Sequence, residues 1–406
     1  MNKKLIILLT VLIDVLGIGI IIPVLPFYVE SFGASAFVVT LLFAVFSLFS
    51  FFSAPLLGML SDRIGRRPVL IVSIASTALG WLVFAAATNI YWLFIGRIID
   101  GLAAGNFPIA QSYLIDIAKT EKEKTTNLGL IGAIFGIGLI VGPLLGGVLS
   151  QVSLSLPFWF VGGLATFNMV LAYFNLPETN KNKNKDKKIS FNPFGPILKA
   201  IKTSSLRPKF IAWFLFGLAL AGQQSVLSLY LAAGFNFNSF LISLVMGGIG
   251  IILVFNQIFF LKKVWLKYFS EEKLIIFFVF ILSFSFLFIS TSFLFILILG
   301  LFLLSVAQSV LRVVMTSQII KNGSAKDQGM ILGILSSVIS LSMIIGPILA
   351  GALFSMRINF PFWASASFSF LALIIIICEK RKNKKIGLKI NEQELEIAEQ
   401  KIEFIG

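Results

Sequence analysis

Apolar residues fall in long runs separated by short polar breaks. Six runs occupy 5–28, 38–60, 68–87, 91–117, 127–149 and 157–176. A polar, lysine-rich stretch follows from Pro177 to about Pro208. Six more apolar runs occupy 209–233, 240–262, 273–292, 294–319, 328–354 and 359–378, before a charged tail. A helix of about 20 apolar residues spans the hydrocarbon core of a bilayer. Each run therefore predicts one membrane-spanning helix, and the chain predicts twelve. The first run follows Lys3 and Lys4 as a signal peptide would. It continues to Tyr28 with Asp14, Pro23 and Pro26 inside it and no small-residue cleavage pattern, so it reads as a retained helix.

The two halves repeat. Residues 129–147 read GLIGAIFGIGLIVGPLLGG and residues 333–351 read GILSSVISLSMIIGPILAG. Gly129, Gly142, Pro143 and Gly147 return as Gly333, Gly346, Pro347 and Gly351, at a constant offset of 204. Pro157-Phe158-Trp159 returns as Pro361-Phe362-Trp363 at the same offset. A long-period repeat in a membrane chain predicts duplicated bundles with a substrate path between them. The expected fold class is all-α: two pseudo-symmetric six-helix bundles at 1–176 and 209–378, a linker at 177–208 and a tail at 379–406.

Charge sets the orientation. Lysine and arginine total 33 against 18 aspartate and glutamate, and the excess lies in alternate loops. Lys3 and Lys4, then Arg63, Arg66 and Arg67, then Lys119, Lys122 and Lys124 mark one side. Lys181, Lys183, Lys185, Lys187, Lys188, Lys262, Lys263, Lys267, Lys321, Lys326, Lys380, Arg381 and Lys382 continue the series. The loops after the first, third, fifth, seventh and ninth spans hold none, and Arg357 is the exception. This asymmetry predicts an inner-membrane, multi-pass protein with both termini and the linker in the cytoplasm. It also accounts for the net charge of +15 without a nucleic-acid partner.

The absence of histidine and the single cysteine, Cys378, argue against a disulfide framework and a metal site. No nucleophile with a base and no phosphate-binding loop is recognisable. Neither an enzyme nor ATP drive is expected, no cofactor is implied, and proton chemistry falls to carboxylates.

Four patterns carry candidate chemistry. Gly58-Met59-Leu60-Ser61-Asp62-Arg63-Ile64-Gly65-Arg66-Arg67 joins the second and third spans. Gly65 permits a tight turn and Asp62 has three arginines around it. The segment resembles the signature loop of the major facilitator superfamily, G-x-L-x-D-R-x-G-R-R. That resemblance implies that Asp62 and Arg66 latch the two bundles and govern their rocking. In the fifth span, Gly129, Gly138, Gly142, Pro143, Gly146 and Gly147 clear one helix face for close packing and bend the helix. Their spacing is similar to the antiporter signature of drug:proton antiporters, which implies export and a seal against leak.

In the first span Asp14 lies about ten residues into the run, where a carboxylate is costly unless it faces a cavity. The segment LIDVLGIGIIIPVLPFY resembles the first helix of tetracycline-efflux proteins. In the fourth span Arg97 and Asp100 share a helical face, followed by Asn106, Gln111, Tyr113 and Asp116. The R-x3-G portion resembles a family motif implicated in proton coupling. The bland reading is an arginine that snorkels to the interface and pairs with Asp100 structurally. Asp116 reads as interfacial.

Within the second-half spans the polar groups are Gln223, Gln224, Asn256, Gln257, Gln308 and Arg312, with no acid and no histidine among them. Tetracycline exporters carry such groups there, so any proton coupling concentrates on Asp14 and Asp100, with Arg97. Asn106, Gln111, Gln223, Gln224, Gln308 and Arg312 are candidates for a substrate cavity. Arg312 faces Asp14 or Asp100, binds an anionic group, or snorkels. The tail, with Ile390, Leu395, Ile397, Ile402 and Phe404, reads as a short amphipathic helix or as disordered chain.

The expectation is a monomeric secondary transporter that exports small lipophilic, drug- or tetracycline-like compounds in exchange for protons by alternating access. Its alternatives are a metabolite or sugar carrier or symporter on the same fold, and a membrane receptor that has lost transport.

Overall fold

The computed structural model describes residues 3–180, 192–202, 206–321 and 328–403. Lys181, Lys183, Lys185, Lys187, Lys188, Lys326 and Phe404 lie outside them. Every long apolar run becomes a helix, because a backbone without water must satisfy its own amides and carbonyls. The first half comprises α1 (Lys3–Glu30), α2 (Ala36–Ile64), α3 (Arg66–Ala85), α4 (Ile90–Asp116), α5 (Glu121–Ser150) and α6 (Leu156–Asn175). The second comprises α7 (Arg207–Phe235), α8 (Ser239–Tyr268), α9 (Glu271–Ile289), α10 (Leu294–Lys321), α11 (Gln328–Met356) and α12 (Phe360–Glu403). A short helix, Gly195–Lys202, lies in the linker. Twelve of the described helices are long and apolar enough to cross a membrane. The helical backbone of α12 carries the tail on to Glu403.

Two helices depart from regular form. The fourth apolar run reads as one span, yet α4 breaks between Leu102 and Asn106. Gly105 at the break is crowded: a Cβ there would lie 2.8 Å from Ser73 Oγ and 2.9 Å from Leu57 Cβ. The break makes Asn106 the first residue of a new helical segment and turns its side chain inward. In α8, residues Asn256–Trp265 wind as a π-helix. Asn256 spans the widened turn: its Oδ1 accepts from Trp265 Nε1 at 3.0 Å and its Nδ2 donates to Ser309 Oγ at 2.5 Å. Asn256 is thus committed to packing, while its neighbour Gln257 is exposed.

The sequence repeat becomes a repeat of contacts. In the first bundle Gly138, Gly142 and Gly146 bring α5 against α1; a Cβ on Gly142 would lie 2.9 Å from Gly19 Cα. In the second bundle Gly346 brings α11 against α7, with Ala221 Cβ and Gly222 N both at 3.0 Å. Gly147 faces the opposite bundle instead, where its Cβ would sit 2.5 Å from Ser243 of α8. Its repeat mate Gly351 likewise presses against Thr40 and Phe37 of α2. One glycine set therefore builds the bundles and another joins them. Gly142→Val should clash with backbone rather than with a movable side chain. The expected cost is about 1–3 kcal/mol, read as a lowered melting midpoint in detergent.

The junction is lopsided. We call the side bearing Pro177–Asn180 and the linker helix the linker face, and the opposite side the far face. At the far face Ser150 Oγ and Ser239 Oγ are 2.9 Å apart across the bundles. Nearby, Ser228 Oγ of α7 donates to Ile22 O of α1 at 2.8 Å. Toward the linker face, Gly58, Gly129, Gly132 and Gly333 have nothing within 4 Å of where a Cβ would stand. The bundles touch at the far face and part toward the linker.

Candidate functional site

Where the bundles part lies a cavity of about 100 Å³ that is open on one side. Gly19 and Ile22 of α1 and Leu139 and Pro143 of α5 form one wall. Gln223 and Gln224 of α7, Met246 of α8, and Leu304 and Gln308 of α10 are among the residues of the other. An apolar lining with a few polar groups suits a lipophilic molecule. Three of the six cavity candidates, Gln223, Gln224 and Gln308, meet here. Gln111 is half-buried on α4 and lies off this lining, as do Asn106 and Arg312.

Asn106 belongs to a polar chain inside the first bundle. Its Nδ2 donates to Asp14 Oδ1 at 3.0 Å and to Thr77 Oγ1 at 3.1 Å. Thr77 in turn stands beside the Asp100 carboxylate. Asp100 Oδ2 lies 3.8 Å from Arg97 Nη1, and both side chains are under a tenth exposed. The Arg97 guanidinium sits 4.3 Å from the Trp81 ring centroid, 4.9 Å from Phe84 and 5.5 Å from Phe46. Ring faces attract a desolvated cation, so Arg97 is caged rather than snorkelling. Its Nε and Nη2 find no hydrogen-bond partner in the protein. The charges divide unevenly. Asp100 is neutralised by Arg97, whereas Asp14 has one amide donor and a half-buried side chain. Asp14, Ile18 and Ile22 recur every four residues on α1, so Asp14 lies on the row whose end lines the cavity.

The signature loop turns at Gly65, whose φ of 121° excludes a side chain at low cost. Arg66 Nη1 pairs with Asp62 Oδ1 and donates to Ser61 Oγ at 2.7 Å. Arg66 Nε reaches Asp116 Oδ2 at the end of α4, 3.2 Å away. Asn180 Nδ2 donates to Asp62 O at 2.7 Å, and Arg67 Nη2 donates to Tyr173 O at 2.7 Å. These partners belong to the first bundle or to the start of the linker, so in this conformation Asp62 and Arg66 clasp helix ends of one bundle and hold the linker to them. Arg63, beside them, also engages a partner.

Sequence reasoning missed Glu178. Its carboxylate accepts from Arg66 N at 2.9 Å and Arg67 N at 3.3 Å, satisfying the free amides at the start of α3. A second clasp was also missed. Glu271 and Lys321 lie 205 residues beyond Arg66 and Asp116, and they form an ion pair of 2.5 Å at the matching ends of α9 and α10. Its polarity is reversed, which hid it from a search for repeated residue types. Lys380 to Glu272 at 3.3 Å and Lys209 to Glu379 at 3.6 Å complete it.

A sequence profile of the Major Facilitator Superfamily matches residues 7–267 and 258–402. The chain is 28% identical over 392 residues to "Quinolone resistance protein NorA" of Staphylococcus aureus (strain MSSA476), covering 95% of this chain and 99% of that protein. It is 28% identical over 372 residues to "Tetracycline resistance protein, class H" of Pasteurella multocida, covering 89% and 91% respectively. Among solved structures, the human organic anion transporter MFSD10 (TETRAN) superposes with a TM-score of 0.70 at 23% identity, covering 92% of this chain and 98% of that one. The nucleoside transporter NupG superposes with a TM-score of 0.72 at 15% identity, covering 94% and 99%. These two likenesses concern the fold.

Proposed function

We infer that this chain, which belongs to the major facilitator superfamily, exports small lipophilic compounds across the inner membrane in exchange for protons. The coarser statement stands by itself: it is a multi-pass membrane transporter of that superfamily. The finer one rests on a single observation, an apolar cavity with three amide side chains that is closed at one face and approached by an otherwise uncompensated carboxylate, Asp14. The full-length relatives named for quinolone and tetracycline resistance support the drug-like substrate class. The antiporter spacing in α5 supports exchange.

The lysine-rich loops assign the linker face to the cytoplasm. In that orientation the cavity is loaded from inside. Asp14 holds a proton taken from outside and releases it inward when substrate enters, so proton and substrate oppose each other through reciprocal coupling. Arg97 keeps Asp100 compensated, which leaves Asp14 as the group whose charge changes. Asn106 and Thr77 hold the two carboxylates in one hydrogen-bonded frame. In this orientation Asp62, Arg66 and their partners act as the cytoplasmic clasp that re-forms at each turn of the cycle. The protein works as a monomer with no cofactor.

The test is reconstitution in liposomes with a trapped pH dye. A panel of quinolones, tetracyclines and lipophilic cations is added. Saturable, substrate-dependent proton movement is expected with at least one class. Its absence with every compound would assign an uncoupled or metabolite carrier instead.

A further inference from the structure

Asp100 alone does not account for the placement of Arg97. At 3.8 Å their contact is longer than the roughly 2.7–2.9 Å of a charge-assisted hydrogen bond. Arg97 Nε and Nη2 have no partner in the protein, although the residue is 4% exposed. A buried cation paired so loosely is costly, and what meets it here is the ring face of Trp81, 4.3 Å away. Trp81 of α3 is itself firmly held. Its ring stacks on Phe158 of α6, with centroids 6.0 Å apart and planes 10° from parallel. On α1, Gly17 gives up a side chain to make room: a Cβ there would lie 2.7 Å from Trp81 Cζ2. Gly80 and Gly96 let α3 and α4 touch beside it, since a Cβ on Gly80 would lie 2.8 Å from Asp100 Cβ. One turn before Trp81 on the same row, Thr77 accepts from Asn106, which also donates to Asp14. One face of α3 therefore serves both the cation and the carboxylate frame.

We propose that Trp81 is a positioning residue for proton coupling: its ring face holds the Arg97 guanidinium against α3, short of a hydrogen bond to Asp100. The coupling role rests on the export reading above; the contact between cation and ring does not. Of the three rings around Arg97, Trp81 is the nearest, and indole binds cations more strongly than a phenyl ring does. A guanidinium held in this way compensates Asp100 through space without closing on it. Released from the ring, it would close on Asp100 through two parallel N–H donors. That movement would draw Asp100 away from Thr77, and Thr77 shares Asn106 with Asp14. The indole thus keeps the frame in the form in which Asp14 changes charge while Asp100 does not.

The test places fluorinated tryptophans at position 81 of the full chain by nonsense suppression. One to four fluorines drain negative charge from the ring face and leave its size almost unchanged, so packing is nearly indifferent to them. The melting midpoint in detergent should fall with each fluorine, by about 2–4 °C in total. In a chain carrying both Arg97→Met and Asp100→Asn, which removes the cation without stranding the acid, the midpoint should not depend on fluorine number. A flat series in the otherwise unaltered chain, or an equal fall in both backgrounds, would overturn the proposal. In proteoliposomes the maximal rate of substrate-driven proton movement should fall about tenfold across the series, while the substrate's Kd stays within about twofold. A graded melting series with unchanged proton movement would also overturn it, because the contact would then be structural only. If the native protein moves no protons with any compound, the export reading and the coupling role fall together, and the melting series still decides the contact between Arg97 and Trp81.

Discussion

Asp14→Asn is expected to abolish substrate-driven proton movement while the protein stays folded and still binds its substrate. The substitution is nearly isosteric, and its amide oxygen can accept the Asn106 hydrogen bond that the carboxylate accepts now. Thr77, Asp100 and Arg97 keep their present arrangement, because none of them depends on charge at position 14. What disappears is the capacity to carry a proton. In proteoliposomes the pH-dye response should fall to the protein-free background. Exchange of labelled for unlabelled substrate at equal concentrations should continue, since alternating access with a permanently neutral side chain at position 14 remains possible. Wild-type proton movement in this variant would place the carrier elsewhere, with Asp100 the next candidate.

The second large effect concerns the far face. Ser150 and Ser239 come from opposite bundles, and their hydroxyls are 2.9 Å apart. That places their Cβ atoms near the span a disulfide bridges. Cysteines at both positions, with exposed Cys378 replaced by serine, should cross-link rapidly under mild oxidation in the absence of substrate. Transport should then stop, because the far face can no longer part, and a reductant should restore it. Binding from the linker side should survive the cross-link. Transport at full rate through a completely cross-linked population would show that the outward opening does not run between α5 and α8.

Much of this molecule is legible in the chain, for identifiable reasons. The spans follow from the requirement that lipid-exposed backbone satisfy itself, and run length alone reports it. The two bundles follow from glycines repeated at one spacing, because a missing side chain is a geometric fact that survives divergence of its neighbours. Gln223, Gln224 and Gln308 can be assigned to a cavity since amides in a span need a reason. The break in α4 is not legible: hydropathy runs straight through it, and the crowding at Gly105 arises from Leu57 and Ser73, far away in sequence. The sequence pattern accordingly puts Asn106 on the cavity wall, whereas the structure has it holding Asp14. The signature loop suggests a bond between bundles. Its partners in this conformation, Asp116 and Glu178, come from the end of α4 and the start of the linker, which no local pattern announces. The Glu271–Lys321 clasp escapes because repeats are sought as shared residue types, and here the pairing is kept while both charges are exchanged.

The seal at the far face contains hydroxyls, glycines and methyl-bearing side chains, and the contacts described there include no ion pair. Opening those contacts moves no formal charge through the electric field of the membrane. A single charge crossing that field is worth about 2.3 kcal/mol per 100 mV, enough to bias a gate strongly. The seal itself therefore contributes no gating charge, and the membrane potential acts on the cycle through the protons and substrates that the cavity carries.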